Sequence, residues 1–461
     1  MRRRVISTHL DYWVDPAVAF PALCAGDGPA FWLDSGFDAT TGISCIGTGG
    51  RVVTASGGGD VTEWATGIRH GQTIFDFLRQ EQAGGACDSG GVVPFPLGWV
   101  GWLGYENHGA TLGTEGVRDS RYPDAAFQRA DRAVVFDHGT QSVTLVALAS
   151  SWTGDAAAWR DETASMLAAL AGAGERPLDE APTLQHEPEW FNSEDEYLGM
   201  IVECQRRIRA GDAYQLCLTT EISARVRPDP VDTYLRLRRL SPSHHGGFLR
   251  CAGVSLLSSS PEQFLTVTPG RQVESKPIKG TRRRGATREE DDALRRELVA
   301  SDKERAENLM IVDLVRNDLS RVCAVGSVTV PHLLEVESYA QVHQLVSTVR
   351  GTLSHGRDPI DAVLACFPAG SMTGAPKLSA VQILDSLERR ARGIYSGAFG
   401  YFGFDGSIDL AMVIRSIVLD ERGVTIGTGG GITALSEPQE ELEETRIKAR
   451  ALLRALGLIP L

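Results

Sequence analysis

Nucleophilic chemistry needs an amine that can lose its proton, and this chain rations such amines. Of its 46 basic residues only five are lysines (276, 279, 303, 377 and 448), and the first 275 residues have none. Guanidinium stays protonated in a protein, whereas a lysine can be tuned to a neutral, nucleophilic amine. Lys276 and Lys279 stand in ESKPIKGTRRRG (274–285). The adjoining Arg282 to Arg284, together with a nearby cation, would push a lysine pKa down. Genome composition alone could also produce an arginine-rich chain. Yet Lys279, Lys377 and Lys448 each sit in or beside a stretch with chemistry of its own.

Two predicted helices carry carboxylates at helical spacing. In SDKERAENLMIVDLVRND, Ser301 and Glu304 form a capping-box pattern, and Glu304 and Glu307 share a face with Ile311 and Leu314. In SEPQEELEETRIKAR, Ser436 and Gln439 repeat that pattern, and Glu437, Glu441, Glu444 and Lys448 form a single stripe. Two glutamates from each helix could hold a hard divalent cation. A solvated acidic face is the commoner meaning of such stripes. GTGGGI (427–432) and FPAGSMTGAPK (367–377) suit close backbone approach to an anion. Neither has the spacing of a dinucleotide site or a phosphate loop.

The elements that must position these residues fall in two stretches. Before the Pro-, Gly- and Glu-rich segment 171–190, short β-like runs recur: AFWLDS, FPLGWVGWLGY, RAVVFDH and SVTLVALA. After it, SEDEYLGMIVECQRRIRAGDAYQ reads as a helix with a Ser193–Glu196 box and an apolar face of Tyr197, Ile201, Cys204 and Ile208. Strand-strand-helix groupings then recur without a fixed period, which favours α+β with antiparallel sheets over a doubly wound parallel sheet. A net charge of −13 argues against a nucleic-acid surface, and the arginine runs at 282–284 and 389–392 read as solvated faces. No apolar run approaches the roughly 18 residues of a membrane helix. No apolar segment follows the basic start MRRRV, and the eight cysteines show no metal-ligand spacing. A cytoplasmic protein with reduced cysteines is expected.

SKPIKGTRRRG, DKERAENLMIVDLVRNDLSRV, FPAGSMTGAPKLSAVQILDSLE, IYSGAFGYF and GGGITALSEPQEELEET together resemble the chorismate-utilising enzymes, in order, over about residues 190–455. That family includes anthranilate, aminodeoxychorismate, isochorismate and salicylate synthases. FWLDS, GWVGWLGYE and RAVVFDH, within 1–175, resemble the N-terminal region of its aminating members. The resemblance implies an α+β fold of duplicated antiparallel sheets packed orthogonally, with outer helices. It also implies two parts: an N-terminal region, 1–175, and a chorismate-binding catalytic part, 190–455.

Two positions choose among members. PIKGT resembles the aminodeoxychorismate synthase branch, whose lysine there attacks C2 of chorismate; Lys279 holds that position, where anthranilate synthases have alanine. Gln215 stands where isochorismate and salicylate synthases carry the lysine that activates water. The resemblance further implies Mg²⁺ on Glu307 and Glu444, with Glu304 and Glu441 in support. Tyr395, Arg415, Gly430, Gly431 and Lys448 would hold the substrate's carboxylates, with Ser371 and Thr373 lining the same pocket. No amidotransferase signature is present, so ammonia is expected from a separate glutamine amidotransferase subunit. The chain departs from the family at Gln344, where a histidine is usual; His343 comes one residue earlier. Anthranilate synthase component I and a non-catalytic regulatory homologue are the competing expectations.

Overall fold

Successive side chains of a strand point to opposite faces, so a run that is apolar throughout must be covered on both sides. The computed structural model describes residues 4–56, 59–84, 95–114, 117–174, 187–339 and 342–459. In it Phe31 and Trp32, Val135 and Val134, Leu249 and Phe248, and Leu256 and Leu257 each divide between two apolar cores. They belong to a 12-stranded sheet ordered Arg4–Leu10, Ser142–Ala149, Arg132–Asp137, Ile43–Thr48, Ala30–Asp34, His245–Cys251, Val254–Ser260, Ser416–Asp420, Gly423–Ile432, Gln215–Ala224 and Glu189–Trp190, with Gly374–Ala375 also pairing to Gln215–Ala224.

A second sheet has 11 strands: Ile278–Arg283, Val342–Thr352, Gln272–Ser275, Gln263–Val267, Ile408–Met412, Ala398–Gly403, Gly98–Leu103, Ala125–Ala130, Val52–Ala55 and Thr62–Glu63, plus Thr329–Ser338 beside Val342–Thr352. Among the described residues every strand pairing is antiparallel, as the strand-strand-helix groupings predict. One core joins the sheets, uniting Phe31, Leu249 and Leu256 with Phe127, Leu265 and Phe399. Gly247 makes room for that contact: a Cβ there would lie 2.4 Å from the Phe399 ring. Helices Pro16–Leu23, Pro230–Leu240 and Pro438–Ala455 pack on the second core of the larger sheet, and Asp302–Ser320 and Pro359–Cys366 join the core between the sheets.

Residues before and after the 171–190 segment contribute strands to both sheets, so the two stretches share one framework. Positions 175–186 of that segment lie outside the described residues. Two of the short crossings between the sheets lie side by side. Val254–Ser260 and Gln263–Val267 are in different sheets, and so are Ile408–Met412 and Ser416–Asp420. The chain therefore changes sheet at 261–262 and at 413–415. The crossings touch: Met412 N–H donates to Glu262 O at 3.0 Å, and Ser259 N–H to Arg415 O at 3.2 Å.

The helix caps match their sequence signals in part. The Ser193–Glu196 box forms in full at the head of Glu194–Arg209. Before the last helix the cap is Glu437, with Pro438 at the first helical position, and Ser436 instead donates its hydroxyl to Glu441 Oε1 at 2.7 Å. A proline opens a helix without loss, because its missing N–H would have no helical partner.

Candidate active site

Where the crossings meet the two acidic helices, a cavity of about 510 Å³ opens. Its wall contains Lys279, Glu304, Glu307, Ser371, Tyr395, Arg415, Gly430, Gly431, Glu441, Glu444 and Lys448. These expected residues come from segments far apart in sequence. Gln215 and Thr373 stand behind the wall. Thr373 is fully buried and spends its hydroxyl within its own turn, donating to Ala369 O at 3.0 Å. Gln215 backs onto Gly431, whose Cβ, if present, would lie 2.3 Å from Gln215 Nε2.

Lys279 is aimed by a bulge. Ile278 pairs with Val346 and Thr281 with Gln344, so Ile278–Thr281 holds one residue more than its partner and the ladder slips across Lys279 and Gly280. Gly280 has φ +81°, and a Cβ on it would stand 2.9 Å from the Glu304 carboxylate. That is why glycine follows the lysine. Asn308, fully buried on Asp302–Ser320, ties the bulge down: its Nδ2 donates to Pro277 O at 3.4 Å and Leu345 O at 3.3 Å.

The electrostatics correct one expectation. Burial alone would favour a neutral Lys279, but Glu307, Cys217, Glu262 and Glu444 together hold its pKa above the ordinary lysine value. The arginines expected to depress it are engaged with acids: Arg282 lies 2.9 Å from Glu297 and 3.6 Å from Glu304, Arg283 pairs with Glu290, and Arg284 lies 2.8 Å from Asp291. Glu262, at the first sheet crossing, was missed in the sequence. Its carboxyl is pushed up by burial, while Lys279, a Ser371 hydrogen bond and Arg415 pull it back. A charged residue directly after a proline between two apolar strands was the available signal. Arg415, at the second crossing with φ +49°, is held below its ordinary value by burial. Among the described residues no carboxylate lies within ion-pair distance of it.

The acidic stripes face inward. Burial raises the Glu307 carboxyl, opposed by Lys279 and Lys303 and reinforced by Glu304 and Glu441. Glu444 is also desolvated, yet Lys448, 2.7 Å away, holds it below the usual carboxylate range. Lys303 Nζ lies 3.2 Å from Glu441 Oε1. Among the described residues no three acidic, histidine or cysteine side chains converge as a closed metal cage. Mg²⁺ does not need one, since it usually takes one or two carboxylates and keeps several waters. The crowded, all-oxygen donor set therefore fits such an ion.

GTGGGI belongs to the long strand Gly423–Ile432, in register with Gln215–Ala224. Its glycines make space: a Cβ on Gly427 would lie 2.0 Å from the Tyr395 ring. Two basic residues prove structural. Lys377 Nζ is buried between Asp318 Oδ2, 2.6 Å, and Cys366 O, 2.7 Å. Arg392, placed by its run on a solvated face, is buried and donates to Met372 O at 2.7 Å, Cys217 O at 2.9 Å and Glu388. It fixes the 370–373 turn against the 215–224 strand. The seven described cysteines are free and buried.

The family model for chorismate binding enzymes matches residues 28–454. The chain belongs to that family. The match of this chorismate binding enzyme runs through both stretches, in keeping with the shared sheets. It is 44% identical to an aminodeoxychorismate synthase of Streptomyces pristinaespiralis, over 96% of this chain and 64% of that protein. It thus spans less than two thirds of that relative's length. Anthranilate synthase component 1 of Streptomyces coelicolor is 36% identical over 97% of this chain and 87% of that protein. The crystal structure of anthranilate synthase component I from Streptococcus pneumoniae superposes with a TM-score of 0.76 at 29% identity, covering 90% of this chain and 92% of that one. Among the described residues no helix is long and apolar enough to cross a membrane.

Proposed function

We propose that this chain is the chorismate-aminating component of an aminodeoxychorismate synthase, converting chorismate and ammonia to 4-amino-4-deoxychorismate and water. The observation that carries the reading is Lys279, half-buried on its bulge in the wall of the cavity that Glu262 also lines. An anthranilate synthase needs no amine there. The relatives named aminodeoxychorismate synthase, at 44% and 43% identity, support the same choice over the 36% anthranilate synthase.

The dianionic substrate is held by groups that await an anion. Arg415 brings a guanidinium without an ion pair, Lys448 a second cation, and Gly430 and Gly431 a surface without side chains. Glu262 takes a proton from Lys279 Nζ, which frees the lone pair. Nζ then forms a bond to C2, both ring double bonds shift, and the C4–O bond breaks, the leaving hydroxide taking up the proton held by Glu262 to depart as water. Ammonia bonds to C4, both double bonds shift back, and the C2–N bond breaks, the departing lysine nitrogen recovering its proton from the new ammonium group. Lys279 is thereby restored and the product released. Arginine could not open this sequence, because it stays protonated.

Glu307 and Glu444, with Glu304 and Glu441 beside them, would hold Mg²⁺. When bound, the ion supplies positive charge that offsets the carboxylates around Lys279 and steadies the anionic substrate. A glutamine amidotransferase partner would supply the ammonia. The test is purified protein with chorismate, ammonium and Mg²⁺, and mass analysis of the product. Aminodeoxychorismate supports the reading; anthranilate with pyruvate would replace it.

A further inference from the structure

One polar group on the cavity wall has no task in the amination chemistry. Gln344 is 1% exposed, lines the cavity, and leaves its amide oxygen without a hydrogen-bond partner among the described residues. Buried acceptors are rarely left so, since an unmade bond forfeits the whole cost of desolvation. Its place is fixed by register: Gln344 pairs with Thr281, two residues beyond Lys279. Its neighbour His343 points to the other face of the strand. There His343 Nε2 lies 3.0 Å from Asp291 Oδ1 and its Nδ1 lies 2.7 Å from Ser338 Oγ. The imidazole is committed, and of the two residues it is the amide that lines the cavity.

We propose that Gln344 orients the reacting pair, its amide oxygen accepting a hydrogen bond from an uncharged donor at the reaction centre. The inference rests on the aminating reading. Ammonia and the departing ring hydroxyl both carry such a donor. A carboxylate in this place would hold ammonium, whose lone pair is already spent. An amide accepts an N–H and leaves the ammonia lone pair free for carbon. It also does not titrate near neutrality, so this contact is indifferent to pH.

The experiment compares wild type with Gln344→Met, which keeps the length and loses the acceptor, and with Gln344→His. Ammonium and chorismate are varied separately, chorismate affinity is measured by calorimetry, and melting is followed by circular dichroism. With ammonia as donor, Gln344→Met raises the ammonium KM about ten-fold and leaves chorismate affinity unchanged. With the hydroxyl as donor, chorismate affinity falls by about the same factor and the ammonium KM holds. Either result supports the proposal when melting is unchanged. Gln344→His, which also serves if Gln344→Met does not fold, should add a rate–pH limb near the histidine pKa of about 6.5. Both KM values, chorismate affinity and the pH profile staying within two-fold of wild type would overturn it. If wild type forms no aminodeoxychorismate, the aminating reading fails first and this proposal falls with it.

Discussion

Lys448 Nζ lies 2.7 Å from Glu444 Oε1, one helical turn away, and 2.9 Å from Gly429 O. One of these partners is an expected metal ligand, and the other belongs to the glycine strand that faces the substrate. The lysine therefore stands between the two charges that the reaction has to assemble. Handing its charge from Glu444 to a chorismate carboxylate would free Glu444 for a cation. Lys448→Gln should raise the chorismate KM by about ten- to a hundred-fold, the range for one lost charged hydrogen bond. Steady-state kinetics at saturating ammonium and Mg²⁺ would show it. An unchanged KM would remove Lys448 from substrate binding.

Glu307→Gln and Glu444→Gln should abolish Mg²⁺-dependent turnover while the fold survives. Burial holds the Glu307 carboxyl above its ordinary pKa, so its contribution to stability is present at low pH and is lost as pH rises through the folded value. The amide variant should thus melt no lower than wild type near neutrality without metal. Full activity of wild type in excess chelator would sink the metal assignment.

Arg415→Gln separates binding from stability. A half-buried cation without an ion pair among the described residues is a burden on the folded state. Its removal should leave melting unchanged or higher, yet weaken chorismate binding at least ten-fold. Thermal melts and calorimetry on one preparation decide the matter. A large loss of stability would mean that Arg415 holds the sheet crossing together.

A pH effect is expected away from the cavity. Burial pushes the Glu106 carboxyl up to about 8, and its Oε1 accepts a hydrogen bond from Arg392 N–H at 2.7 Å. The folded form keeps a proton that the unfolded form gives up near the ordinary value of about 4.3, so stability falls as pH rises between those values. The loss is on the order of a few kcal/mol. Urea unfolding at several pH values should show this decline, and Glu106→Gln should flatten it. An equal slope in both proteins would argue against a protonated Glu106.

Much of this arrangement was legible in the sequence, for definite reasons. Helical spacing placed Glu304 with Glu307 and Glu441 with Glu444, and those carboxylates do reach one cavity. Strand-strand-helix groupings in the second half pointed to antiparallel sheets. What stayed hidden depends on contacts between distant segments. Nothing local in IDLAMVIRSIVL shows that the chain changes sheet at Arg415, or that Glu262 waits at the neighbouring crossing. Arg392 looked solvated because a run of arginines usually is; its three buried carbonyl and carboxylate partners lie elsewhere in the chain or on the preceding turn. The direction of the Lys279 shift is set by carboxylates close in space, and none of them is a sequence neighbour.

The central claim is that Lys279 bonds to the substrate, and the most direct measurement is intact-protein and peptide mass spectrometry after quenching with chorismate and Mg²⁺ in the absence of ammonia. The account predicts a chorismate-derived adduct, less one water, mapped to Lys279 and discharged on adding ammonium. Lys279→Arg should give neither adduct nor aminodeoxychorismate. Wild-type turnover by Lys279→Arg, or an adduct on another residue, would contradict it.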